Sequence, residues 1–119
     1  MARKPRIEFP GAIYHVFNRG NYRKALFLEN GSGDAFERAL FEAAEFSNWN
    51  IHAYTIMSNH YHLVIETPDA NLSVGMQWLL GTFANRFNRL RGEQGHVFQG
   101  RFKSPLVEPG EALLRVVDY

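Results

Sequence analysis

Seven segments read in chain order (strand, helix, strand, strand, helix, strand, helix) predict an α+β fold with one antiparallel sheet. The two central strands are separated by only two residues, which makes them a hairpin. The two longer helical segments interrupt the strands where a split β-α-β pattern requires them. The expected architecture is therefore a ferredoxin-like sheet, β-α-β-β-α-β. Its two helices cover one face, and a C-terminal helix is free to cover the other.

The first strand is expected over 11–19, from Gly11 to Arg19, a run rich in strand formers that Gly20-Asn21 ends. Gly31 to Asp34 reads as a turn, with Asp34 as N-cap of a helix over about 35–47. Phe36, Leu40, Ala43 and Ala44 give that helix its apolar stripe, and Asn48-Trp49-Asn50 breaks it. Strands follow over 51–57 and 60–67, joined at Ser58-Asn59. A loop at 68–71 leads into a second helix over about 72–91, with Met76, Leu79, Leu80, Phe83 and Phe87 on one side. Gly92 to Gly95 ends it. An extended segment over about 96–108 is interrupted by Gly100 and Pro105, and a last helix is expected from Glu111 to Tyr119.

Composition limits the class of protein. The length suits one domain, 1–119, and 45% hydrophobic residues suit a packed core. With no cysteine, disulfides and thiolate metal sites are excluded, and a reducing cytoplasm is the expected setting. No apolar run has the ~20 residues of a membrane span, and the basic start of the chain leads into no apolar signal core.

The net charge of +1 implies no partner, but its distribution is uneven. Residues 1–28 hold six basic groups (Arg3, Lys4, Arg6, Arg19, Arg23, Lys24) against Glu8 alone. Residues 29–69 hold seven acids against Arg38, and residues 86–103 return to five basic groups, Arg86, Arg89, Arg91, Arg101 and Lys103, against Glu93. If the first and last groups meet, they form a basic face suited to a polyanion. Solvated surface of mixed charge is the plainer reading.

His60-Tyr61-His62 is the most informative short motif. Residues two apart on a strand share a face, so both imidazoles point one way, about 6–7 Å apart along the strand. That lets them converge on one divalent cation. Tyr61, Leu63 and Ile65 point the other way, into the core. The bland alternative is a surface pair or a hydrogen-bond network, since an isolated His-x-His is weak evidence. Glu66 shares the histidine face but lies about 13 Å beyond His62, too far to join it. His15 and His52 read as structural, and His96 as a solvated loop residue.

Four blocks together resemble the REP-associated tyrosine transposases, a branch of the single-tyrosine transposases within the HUH endonuclease superfamily. They are Arg6 to Asn21, His52 to Pro68, Phe87-Asn88-Arg89, and Gly95 to Lys103. The resemblance implies that His60 and His62 are ligands of a divalent metal, Mg²⁺ or Mn²⁺. The run Leu113 to Tyr119 is similar to the segment that carries the family's nucleophile, which makes Tyr119 the catalytic residue on the C-terminal helix. The implied reaction is cleavage and rejoining of single-stranded hairpin DNA at palindromic repeats, through a 5′-phosphotyrosine link. Arg3, Lys4, Arg6, Arg19, Arg23, Arg86, Arg89, Arg101 and Lys103 are the expected phosphate contacts, with Tyr22 or Phe102 available for base stacking.

The resemblance departs from the family at one place. The family helix continues past its tyrosine into an Asn-Pro block and a polar third metal ligand, whereas this sequence stops at Tyr119. The expectation is a catalytic domain cut short at the start of its last helix. Its alternatives are a hairpin DNA-binding domain without catalysis and an unrelated ferredoxin-like protein with a zinc site. A monomer and a homodimer, in a bacterial cytoplasm beside the nucleoid, both fit.

Overall fold

The computed structural model describes residues 7–20, 27, 31–91, 97, 98 and 100–110. The elements in order are β1 (Ala12–Arg19), α1 (Ser32–Ser47), β2 (Asn50–Ile56), β3 (His60–Thr67) and α2 (Leu72–Arg91). The three strands form one antiparallel sheet in the order β1-β3-β2. The segment around 98–107 runs antiparallel along the free edge of β1, through the bridges Gly20–Phe98, Phe17–Lys103 and Tyr14–Leu106. This places the last extended segment beside β1, as the ferredoxin-like pattern predicts. It pairs at separate points and not as a continuous strand, because Gly100 adopts φ +61° and Pro105 has no N–H to donate. The expected terminal helix, 111–119, lies outside the described residues.

Strand alternation divides the sheet. Ala12, Tyr14 and Val16 of β1 and Tyr61, Leu63 and Ile65 of β3 are buried in the main core with both helices. Phe36 of α1 anchors that core. Its ring lies 4.9 Å from Tyr61, 5.2 Å from Phe83 and 5.2 Å from Phe27 between centroids, with Phe98 at 6.4 Å. Ile13 and Val64 point to the opposite face yet are also buried, outside the main cluster.

The helix ends differ in part from expectation. α1 starts at Ser32, after Gly31 in the left-handed conformation (φ 72°), so Asp34 lies in the first turn and is not the N-cap. There its carboxylate complements the positive end of the helix dipole. Asn48 closes α1 at φ 59°, a conformation asparagine tolerates better than most residues. At α2, Glu8 accepts a hydrogen bond from the Ser73 backbone N–H (2.8 Å), which fastens the chain before β1 to the helix start. β2 carries a bulge at His52, the extra residue between the pairs Ile51–Ile65 and Ala53–Val64.

The contact between the α1–β2 turn and α2 is close. Trp49 is buried, and its indole N–H donates to Asn71 Oδ1 at 3.0 Å. Asn71 Nδ2 in turn donates to the Ser47 carbonyl at 2.9 Å. A Cβ on Gly75 would lie 2.1 Å from Trp49 Cζ2. Gly75→Ala is therefore expected to displace the indole despite the better helix propensity of alanine. A loss of about 1–3 kcal/mol should appear in chemical denaturation, together with a red-shifted tryptophan emission. Unchanged stability would mean that the indole has free room to move.

Candidate functional site: a histidine cluster on the sheet face opposite α1 and α2

The face of the sheet opposite the helices holds the polar cluster. Cross-strand pairs share a face, so the register Phe17–His62 and Arg19–His60 brings His15, Phe17 and Arg19 of β1 beside His60 and His62 of β3. Both histidines of the motif are half-buried. Their rings stand 5.2 Å apart between centroids at 83°, nearly perpendicular.

His62 is the centre of the group. Its Nδ1 lies 3.0 Å from His15 Nε2, and Phe17 lies nearly parallel to it at 5.7 Å. Phe17 also packs on the His15 ring at 4.9 Å. Burial lowers the proton affinity of His62 below the ordinary imidazole value of 6.5, and the nearby His15 and His60 lower it further. Burial alone lowers that of His15. Both rings are thus neutral at neutral pH and hold nitrogen lone pairs, the form in which imidazole binds metals.

These shifts set the sign of a pH effect. A histidine whose folded proton affinity is depressed contributes stability that is complete above its unfolded value of 6.5. The contribution is lost as the pH falls through 6.5 toward the lower folded values. The melting temperature of the metal-free protein should drop between about pH 7.5 and about pH 5, and drop less in a His62→Gln variant. A melting temperature that rises on acidification would mean that the folded state prefers the charged rings.

The predicted basic residues separate into groups. Arg19 and Lys103 border the histidine face. Arg19 is exposed beside His60, and Lys103 pairs with Phe17 through both backbone hydrogen bonds (2.9 Å each), its Nζ 6.0 Å from the Phe17 ring. Arg101 is exposed two residues earlier on the same segment. Arg86 belongs to the helix layer, where its guanidinium meets Glu42 of α1 at 3.4 Å. Arg89, exposed, is three residues further along α2. The helix arginines are therefore separated from the histidines by the sheet. Arg3, Lys4, Arg6, Arg23 and Tyr119 lie outside the described residues, as do Tyr22 and His96. Glu66 is engaged away from the pair, its Oε1 2.9 Å from His52 Nε2.

The donor set fits a divalent cation in part. His60 and His62 offer two imidazoles on one face of the sheet. Among the described residues no group of three His, Cys, Asp or Glu side chains gathers at one point. A cation there would take its other ligands from outside this set, such as water and phosphate oxygens, which Mg²⁺ and Mn²⁺ accept readily. His15 and Phe17 are the site neighbours that the strand reading overlooked. Strand parity groups residues 15, 17 and 19 on one face, but the register that sets them against His60 and His62 is long-range.

The sheet with both helices on one face is a fold shared with solved structures. One similar structure is a REP-associated tyrosine transposase bound to a REP hairpin, with TM-score 0.81 and 17% identity over 100% of this chain and 70% of that one. Another is a chain of Deinococcus radiodurans assigned as a transposase, with TM-score 0.65 and 18% identity over 99% of this chain and 95% of that one. At such identities the likeness establishes the fold. No curated protein matches the sequence. The chain belongs to the IS200-like transposase family, whose sequence model matches residues 9–119, a span that includes His60, His62 and Tyr119. Among the described residues no helix is long and apolar enough to cross a membrane.

Proposed function

We propose that this chain, read as one catalytic domain over 1–119, cuts and rejoins single-stranded hairpin DNA. Tyr119 is the nucleophile, and His60 and His62 hold a divalent cation, Mg²⁺ or Mn²⁺. The observation that carries the reading is the placement of His60 and His62 on the sheet face opposite α1 and α2, next to β1, which carries Arg19 and pairs along its other edge with the segment that carries Lys103. The similar structure bound to a REP hairpin supports DNA as the partner.

In this reading the Tyr119 hydroxyl oxygen attacks the scissile phosphorus, and the bond from phosphorus to the 3′-oxygen breaks. The 3′-hydroxyl leaves with a proton, and the 5′-phosphate stays linked to the tyrosine. Joining reverses these steps when another 3′-hydroxyl attacks the linkage. When bound, the cation polarises the scissile phosphate. His60 and His62 fix its position because both rings stand on one rigid strand. Arg19, Arg101 and Lys103 neutralise phosphates on this face, and they position DNA without reading its sequence. Arg3, Lys4, Arg6 and Arg23 are assigned the same role from sequence. Arg86 and Arg89 serve DNA only if it reaches the helix layer.

The test is covalent capture. The protein is mixed with labelled single-stranded hairpin DNA from the flanks of its own gene, with Mn²⁺, and then denatured. A shifted protein–DNA band that requires Mn²⁺ and vanishes in Tyr119→Phe is the expected result. Hairpin binding in a gel shift with no covalent band would make the chain a DNA-binding domain without catalysis.

A further inference from the structure

We propose that His15 is a positioning residue. Its Nε2 accepts the Nδ1–H of His62, and His62 Nε2 is thereby left as the nitrogen offered to the cation. The inference rests on the reading of His60 and His62 as cation ligands.

A neutral imidazole has one N–H and one lone pair, and the nitrogen that carries the hydrogen cannot coordinate. His15 Nε2 and His62 Nδ1 are 3.0 Å apart, so one must carry a hydrogen and the other a lone pair. If His15 donated, His62 Nδ1 would spend its lone pair on His15, and the hydrogen of the neutral ring would sit on Nε2. If His62 donates, its Nε2 lone pair is free. Coordination through Nε2 therefore selects the arrangement in which His15 accepts.

The ring geometry suits this bond. The centroids are 5.2 Å apart and the planes differ by 28°. An N···N contact of 3.0 Å between rings that meet edge to edge gives this separation once the two ring radii are added, so the contact lies close to both ring planes. The His15 ring is well held. Phe17 packs against both imidazoles, the His15 backbone N–H donates to the Pro105 carbonyl at 3.0 Å, and β3 pairs along the other side of β1. A partner on a rigid element fixes both the tautomer and the orientation of a ligand histidine. Because the bonding hydrogen fills the gap between the two nitrogens, His15 acts through His62.

Mn²⁺ binding to the full chain, followed by titration calorimetry, tests the inference beside pulsed EPR of the imidazole nitrogens around Mn²⁺. His15→Ala should weaken Mn²⁺ binding by about 10–100-fold, the usual loss when such a partner is removed. The coordinated imidazole nitrogens should number two in wild type and in His15→Ala. His15→Gln, whose Oε1 can accept the same hydrogen, should recover most of the affinity, and metal-free hairpin binding should be the same in all three proteins. Affinity within about twofold of wild type in His15→Ala overturns the inference, as does a His15→Gln variant no better than His15→Ala. A fall from three coordinated nitrogens to two would make His15 a direct ligand and also overturns it. Binding that depends on His60 and His62 but not on His15 removes the inference alone. Wild type that fails to bind Mn²⁺, or binds it equally well in His60→Ala and His62→Ala, removes the parent reading and the inference together.

Discussion

His62→Ala should slow formation of the covalent DNA adduct by on the order of 10²–10³-fold, with hairpin affinity nearly unchanged. The cation's contribution to such a step is several kcal/mol, and each 1.4 kcal/mol is about tenfold in rate. His62 should be the more sensitive ligand because it is the one the fold builds around. It meets His15 at 3.0 Å, stands perpendicular to His60, and lies along Phe17. His60 is at the strand end, beside exposed Arg19. His60→Ala should therefore leave a weaker site that raised Mn²⁺ partly restores, whereas His60→Ala with His62→Ala should not respond to added Mn²⁺. If both rings serve one ion, as proposed, the double loss should fall well short of the product of the single losses. Single-turnover rates measured across a Mn²⁺ series check this. A His62→Ala rate within about threefold of wild type would remove the histidine pair from the chemistry.

The shared face of the histidine pair was legible in the sequence, for a simple reason. His60 and His62 share a strand, and strand parity is a local property that needs no knowledge of the rest of the fold. The hairpin and the helix stripes likewise follow from short-range pattern. What was not legible depends on register between distant segments. His15 is a lone histidine in the sequence, and its value comes from pairing with a residue 47 positions away. The partner of Arg86 is of the same kind, since its guanidinium meets Glu42 across the helix pair, 44 positions away. The left-handed Gly31 moved the start of α1 and demoted Asp34 from cap to first-turn residue. The bulge at His52 leaves no mark in an apolar pattern, although it interrupts the register of β2 against β3.

The largest effect on stability is expected from Phe36→Ala. Phe36 is 0% exposed and meets Phe27, Tyr61, Phe83 and Phe98, so one ring joins α1 to the sheet, to α2 and to the edge segment. Removing a buried phenyl costs about 3–5 kcal/mol, transfer and cavity together. A domain of this size has only about 5–15 kcal/mol in total. The melting temperature should fall by about 10–20 °C. Phe41→Ala is the control, since Phe41 is 47% exposed with its ring against Tyr54, and should cost less than about 1 kcal/mol. The packing also reaches the site. Tyr61, whose ring lies against Phe36, sits on β3 between His60 and His62, with its side chain on the opposite face. A cavity under Tyr61 loosens the strand that holds both imidazoles at a fixed separation. Phe36→Ala should therefore weaken Mn²⁺ binding below its melting temperature, and Phe41→Ala should not. Equal Mn²⁺ affinities in the two variants would mean that the strand holds its histidines without support from the core beneath it.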